Sequence, residues 1–111
     1  MGQLKYPFGA ADVQDIAAAA VVNLVVTNGG FTYARLTALT AATTINVTVP
    51  VDCPQGATLI VELPSGATAR DTTFGTGFTG AVVTGVINKT KVATFRYIGT
   101  LFIQTAVNQV N

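Results

Sequence analysis

Residues 89–104 read Lys89-Thr90-Lys91-Val92-Ala93-Thr94-Phe95-Arg96-Tyr97-Ile98-Gly99-Thr100-Leu101-Phe102-Ile103-Gln104. Two β-rich arms flank Gly99-Thr100, and a Gly-containing tight turn between such arms signals a hairpin. Successive side chains of a strand face opposite sides. Ala93, Phe95 and Tyr97 therefore point one way, and Val92, Thr94 and Arg96 the other. One face is heavily apolar. A lone two-stranded hairpin is marginal in water, so upstream strands are needed to cover that face.

The upstream chain supplies them. Residues 42–49 alternate, with Ile45, Val47 and Val49 on one face and Thr44, Asn46 and Thr48 on the other, and Pro50 ends the run. Residues 58–63 place Leu59, Val61 and Leu63 inward and Glu62 outward. Residues 69–74 and 81–87 read as further short strands. Asn28-Gly29-Gly30 is a strong turn signal, because Asn and Gly tolerate positive φ. It predicts that residues 31–39 return beside residues 21–27. Residues 12–20 leave two readings open. Asp12 caps a short helix with a Val13, Ile16, Ala17, Ala20 stripe, or a strand starts near Val13 and breaks in the Ala run. The β-rich residues 21–27 that follow favour the strand. No exact internal repeat appears. Turn signals recur at about the 8–12-residue spacing of a sandwich or barrel. The expected fold is all-β: a single antiparallel β-sandwich, jelly-roll-like, over residues 12–111, with an extended N-terminal arm over residues 1–11.

Composition narrows the function. Half of the 111 residues are hydrophobic and only 10% are charged, against about 25% charged in an average soluble domain. A domain this small cannot hide such a surplus in its own core. A membrane span needs about 20 apolar residues, but the longest apolar stretch, residues 16–26, is interrupted by Asn23. Asp12 and Asp15 stand where a signal peptide would be apolar. The expectation is a chain made in a cytosol without export, with no membrane partner. The surplus apolar surface is expected to face other protein chains. Net charge is +1 and the six basic residues are scattered. No basic stripe is available to neutralise phosphates, so no nucleic-acid partner is expected.

No residue set points to chemistry. There is no His, and Cys53 is the single cysteine, which removes imidazole ligands, thiolate clusters and an intrachain disulfide. Gly75-Thr76-Gly77-Phe78-Thr79-Gly80 matches the dinucleotide fingerprint GxGxxG. That motif works only where a strand runs into a helix, with an acid about 20 residues on. Here β-branched residues follow and no acid occurs after Asp71. A sheet corner is the reading, and no cofactor is expected. The carboxylates of Asp12 and Asp15 would need burial and close approach to share a proton. Arg70 and Asp71 would face opposite sides of a strand. Catalytic residues are expected to be none, and the chain is expected not to be an enzyme. The arm, by contrast, carries Lys5, Tyr6, Pro7 and Phe8 outside the alternating pattern. Two aromatics bury about 150–250 Å² each when docked, and Pro7 restricts the free arm. These four residues are the candidate partner-binding element.

Three stretches carry a resemblance. They are Ala11-Asp12-Val13-Gln14-Asp15-Ile16-Ala17, then Thr68-Ala69-Arg70-Asp71-Thr72-Thr73-Phe74-Gly75-Thr76-Gly77-Phe78, then Lys91-Val92-Ala93-Thr94-Phe95-Arg96-Tyr97-Ile98-Gly99-Thr100. In order and spacing they resemble small virion proteins of tailed bacteriophages, especially the capsid-associated and head-fibre proteins of crAss-like phages. Ile98 departs from the acidic residue or Asn that often precedes the turn glycine in similar proteins. The resemblance implies a structural virion protein on the capsid surface, made in the host cytoplasm. It would decorate or cement the head through contacts with the major capsid protein or another virion protein, as a homo-oligomer with a trimer favoured. The alternative is a receptor- or glycan-binding head-fibre module. The scarcity of exposed-platform aromatics, with no Trp and three Tyr, speaks against that alternative.

Overall fold

The structure is a computed structural model that describes residues 12–26, 30–51 and 53–110. The described residues form nine strands: β1 (Asp12–Ile16), β2 (Val21–Val25), β3 (Phe31–Leu36), β4 (Thr43–Thr48), β5 (Thr58–Pro64), β6 (Thr72–Phe74), β7 (Phe78–Thr79), β8 (Thr90–Tyr97) and β9 (Phe102–Val110). They form a six-stranded sheet in the order β1-β3-β5-β8-β9-β7 and a three-stranded sheet in the order β2-β4-β6. Consecutive strands from β1 to β6 alternate between the two sheets. Within each sheet β1, β3 and β5, and likewise β2, β4 and β6, pair in parallel.

This overturns the expected antiparallel jelly-roll sandwich. The chain is all-β, but it is a parallel β-solenoid of about four turns. Parallel neighbours need a crossover connection, and here each strand of one sheet serves as the crossover for the other. β2 and β3 lie in different sheets, so the Asn28-Gly29-Gly30 signal does not close a hairpin. Asn28 and Gly29 themselves lie outside the described residues, as does the arm of residues 1–11. The strand expected over residues 81–87 is also absent; the one β-bridge in that segment is the isolated one from Val83 to Thr72.

Alternation within each strand fixes what the solenoid encloses. From the three-stranded sheet come Val22, Leu24, Ile45, Val47, Thr72 and Phe74; from the six-stranded sheet come Thr32, Ala34, Leu59, Val61, Leu63, Ala93 and Phe95. Register stacks them by turn: Val22 beside Ile45 beside Phe74 in one sheet, Thr32 beside Leu59 beside Phe95 in the other. The inward sets anticipated for residues 42–49 and 58–63 are the buried ones, with Val49 packed at the margin.

The Ala run is a corner. Its backbone is taken up by the next turn: Thr37 N donates to Ile16 O (3.0 Å) and Thr44 N to Ala20 O (2.9 Å). Thr37 Oγ1 accepts from Ala18 N (2.9 Å) and Thr43 Oγ1 donates to Ala19 O (3.1 Å). A helix over these residues would have to give up these lateral bonds, and the strand reading of residues 12–16 is the one observed.

The two ends of the stack differ. At the first turn Asp12 and Gln14 occupy inward positions. Gln14 Nε2 donates to Asp12 Oδ2 and to Val25 O, both at 2.8 Å, tying the two sheets together with polar groups. Terminal units of stacked folds need such polar ends. At the other end the parallel order stops. β8 pairs antiparallel with β5, and β9 antiparallel with β8. Gly99 sits at φ +102° in the connecting turn, so the hairpin read from residues 89–104 is present. Four phenylalanines and Tyr97 fill this end. Phe74–Phe95, Phe78–Phe95, Phe74–Phe78 and Tyr97–Phe102 have ring centroids 4.6, 4.8, 5.0 and 5.1 Å apart, within the range of favourable edge and offset contacts.

Phe95 is fully buried at the centre of this cluster. Phe95→Ala should lower unfolding free energy by about 3–5 kcal/mol. Val21→Ala, at an exposed position on β2, should stay within about 0.5 kcal/mol. Urea denaturation followed by far-UV circular dichroism measures both.

Candidate functional site

The residues singled out for chemistry do not converge. Asp12 faces inward and Asp15 outward on β1, so their carboxylates lie on opposite faces. Asp71 Oδ1 accepts from Gly85 N (3.3 Å), and Ser65 Oγ accepts from Arg70 N (3.4 Å). Cys53 is half-buried, with its Sγ 3.9 Å from Pro54 O. Among the described residues no three of His, Cys, Asp and Glu gather as metal ligands would, and no helix is long and apolar enough to cross a membrane. The proposed docking residues Lys5, Tyr6, Pro7 and Phe8 lie outside the described residues.

The GxGxxG stretch has a packing explanation. Asn23 and Asn46 are stacked on the outer face of the three-stranded sheet, where Asn46 Nδ2 donates to Asn23 Oδ1 (3.3 Å). Asn46 Oδ1 in turn accepts from Thr76 N (2.8 Å). The amide ladder thus ends on the backbone of the Gly75-Thr76-Gly77 turn. A Cβ on Gly75 would run into Asn46 Oδ1, and Gly77, at φ +88°, lies against Val47. The glycines admit a neighbouring turn of the solenoid.

The outer face of the six-stranded sheet is the larger exposed feature. One row across it reads Val13, Tyr33, Ile60, Thr94 and Ala106. On one side of that row lie Phe31, Thr58, Arg96 and Ile103, with Arg96 exposed. On the other side Asp15, Arg35 and Glu62 stand in register on β1, β3 and β5. Arg35 bridges them, with Nη1 3.9 Å from Asp15 Oδ1 and Nε 3.7 Å from Glu62 Oε1. Exposed pairs of this kind contribute about 0–1 kcal/mol. The Tyr33 hydroxyl donates to Glu62 Oε2. That hydrogen bond to a carboxylate, then partial burial and the carboxylate's charge, hold the Tyr33 phenol above its usual 10.0, with Arg35 opposing.

The six-stranded sheet also has a partly open edge. β7 covers β9 only at Phe102 and Ile103. Gln104 then closes the next position, its Oε1 accepting from Ala81 N (3.0 Å) and its Nε2 donating to Ala81 O (3.4 Å). Beyond Gln104 no described strand pairs with the outer side of β9. A β-bulge at Thr105, whose Oγ1 donates to Thr94 O (3.2 Å), marks the transition. From Thr105 to Val110 every residue is exposed, and none is charged. Alternation alone could not mark this strand as an edge, because its period is the same in any strand.

No protein-family model matches the chain, and no curated protein matches it.

Two outcomes follow from this geometry. Gly75→Ala should cost about 1–3 kcal/mol through overpacking against Asn46. In an Asn46→Ala background the same change should cost less, leaving a coupling of about 0.5–3 kcal/mol in a double-mutant cycle read by urea melts. For Tyr33, the folded phenol titrates above its unfolded value, so the stabilisation it gives is complete below about pH 10 and is lost as pH rises through the folded pKa. In absorbance titration at the phenolate band, one tyrosine should titrate above the ordinary range, and Glu62→Gln should bring it down.

Proposed function

We propose that the chain is a non-enzymatic structural subunit of a tailed-bacteriophage virion, decorating or cementing the head by binding protein surfaces and its own copies. The resemblance of residues 11–17, 68–78 and 91–100 to capsid-associated phage proteins supplies the setting. The observation that carries the assembly role is the surface of the six-stranded sheet. It shows an uncharged outer row, Val13, Tyr33, Ile60, Thr94 and Ala106, and an uncharged strand, β9, open along most of its edge. Natural sheets guard such edges with charge, proline or cover. A strand left open and neutral is suited to contact with another chain.

A second reading rests on β3. Phe31 and Tyr33 lie two residues apart on one outer face, half-exposed, with Arg35 next in line. Aromatic rings beside hydrogen-bonding groups suit a sugar, which is the chemistry of a receptor-binding fibre module. Tyr33 is already committed to Glu62, so the first reading is preferred.

The test is made on particles of the phage that encodes the chain. After density-gradient purification, quantitative mass spectrometry should find the chain at a fixed ratio to the major capsid protein. A chain abundant in the infected lysate and absent from particles would show the virion reading to be wrong.

A further inference from the structure

We infer that β9 is a self-association strand. Two copies of the chain pair antiparallel along Thr105–Val110 about a twofold axis, joining their six-stranded sheets into one. The inference rests on the reading of the chain as an assembly module and names the partner of its open edge.

Three observations on β9 lead there. First, the edge carries backbone donors and acceptors that no described strand meets beyond Gln104. The group that matches such an edge is another strand. Second, β9 overhangs the structure that covers the rest of its sheet. Ala93 on β8 is fully buried, yet Val107, directly opposite it on the inward face, is 42% exposed. Val110, on the outward face, is 52% exposed. Apolar side chains are thus open on both faces as well as along the edge, and a strand added there would cover both. Third, no residue from Tyr97 to Val110 is charged. An identical edge can approach without like-charge repulsion, which opposes directly facing residues on paired strands.

The other ways of joining two copies are less favourable. β1, at the far edge, carries Asp12 and Asp15, so a β1-to-β1 pair brings carboxylates together. β9 runs parallel to β1, since β1, β3 and β5 are parallel and two antiparallel steps follow. Continuing the stack with β9 of one copy on β1 of the next, inward faces on the same side, would therefore be a parallel pairing, which is less stable per residue. It would also be heterologous and unclosed, giving filaments. The β9-to-β9 pair is antiparallel and closes on itself. Its open length of six residues spans about 20 Å. A single strand seam of that length buries less than a standard interface of about 1,200–2,000 Å², so the pair is a weak, concentration-dependent dimer.

Sedimentation velocity from micromolar to sub-millimolar concentration tests this on the full chain. The expected result is a reversible rise from the 11.4 kDa monomer to about twice that mass. Val107→Lys places like charges near the twofold and should abolish the rise without changing the melting temperature. Val21→Lys, exposed on the three-stranded sheet, should leave it intact. As an independent measurement, Val107→Cys in a Cys53→Ser background should give a disulfide-linked dimer on mild oxidation, and Val21→Cys in the same background should not. A monomer at every concentration, a trimer or filament, an association that survives Val107→Lys, or cross-linking as good from Val21 as from Val107 overturns the inference. A monomeric chain that is nonetheless present in purified particles would refute this pairing and leave the virion reading standing.

Discussion

Parallel hydrogen bonding between successive turns is the constraint on which the rest of this structure depends. Once β1, β3 and β5 run in register, every inward side chain lies beside the inward side chain of the next turn. Thr32, Leu59 and Phe95 become one column, and Val22, Ile45 and Phe74 another. Each column belongs to one sheet and packs on columns of the other, so neither sheet can bury its apolar face alone. The strands also solve each other's connection problem, because a parallel pair needs a crossover and the opposite sheet provides it. A stack of this kind has no natural end. The described residues show two: a Gln14–Asp12 polar pair at the first described turn, and at the last a reversal into an antiparallel hairpin plugged with phenylalanine.

What the sequence disclosed was local. Residues 89–104 announce a hairpin because a tight turn and two β-rich arms lie within a single stretch. The alternation in residues 42–49 and 58–63 gives the buried sets, because the period of a half-buried strand is two whatever its neighbours do. The same property hid the topology: alternation does not distinguish a parallel neighbour from an antiparallel one. Asn28-Gly29-Gly30 carries good hairpin chemistry between two strands that belong to different sheets. The solenoid repeat was masked by uneven corners. Asp12 pairs with Thr32, 20 residues on, but Phe31 pairs with Thr58, 27 residues on. In the other sheet the steps are 23 residues, from Val21 to Thr44, and 29, from Thr43 to Thr72. A period that drifts this far leaves no visible repeat.

The candidate surface was legible only in outline. A chain with 10% charged residues and an apolar surplus raises the expectation of partner chains, but composition carries no position for a contact surface. That β9 is nearly uncovered depends on β7 being two residues long and on the six-stranded sheet outreaching the three-stranded one, and both are tertiary facts. The GxGxxG stretch shows the converse. Its letters suggest a phosphate loop, while its place beneath Asn46 makes close approach of backbone and side chain the reason for its glycines.

Nuclear Overhauser contacts between backbone protons read the parallel stacking most directly. Parallel turns predict contacts from β2 to β4, with Val22 beside Ile45 and Leu24 beside Val47, and from β1 to β3, with Gln14 beside Ala34. A ladder of antiparallel contacts between β2 and β3 across Gly30, with none between β2 and β4, would contradict it.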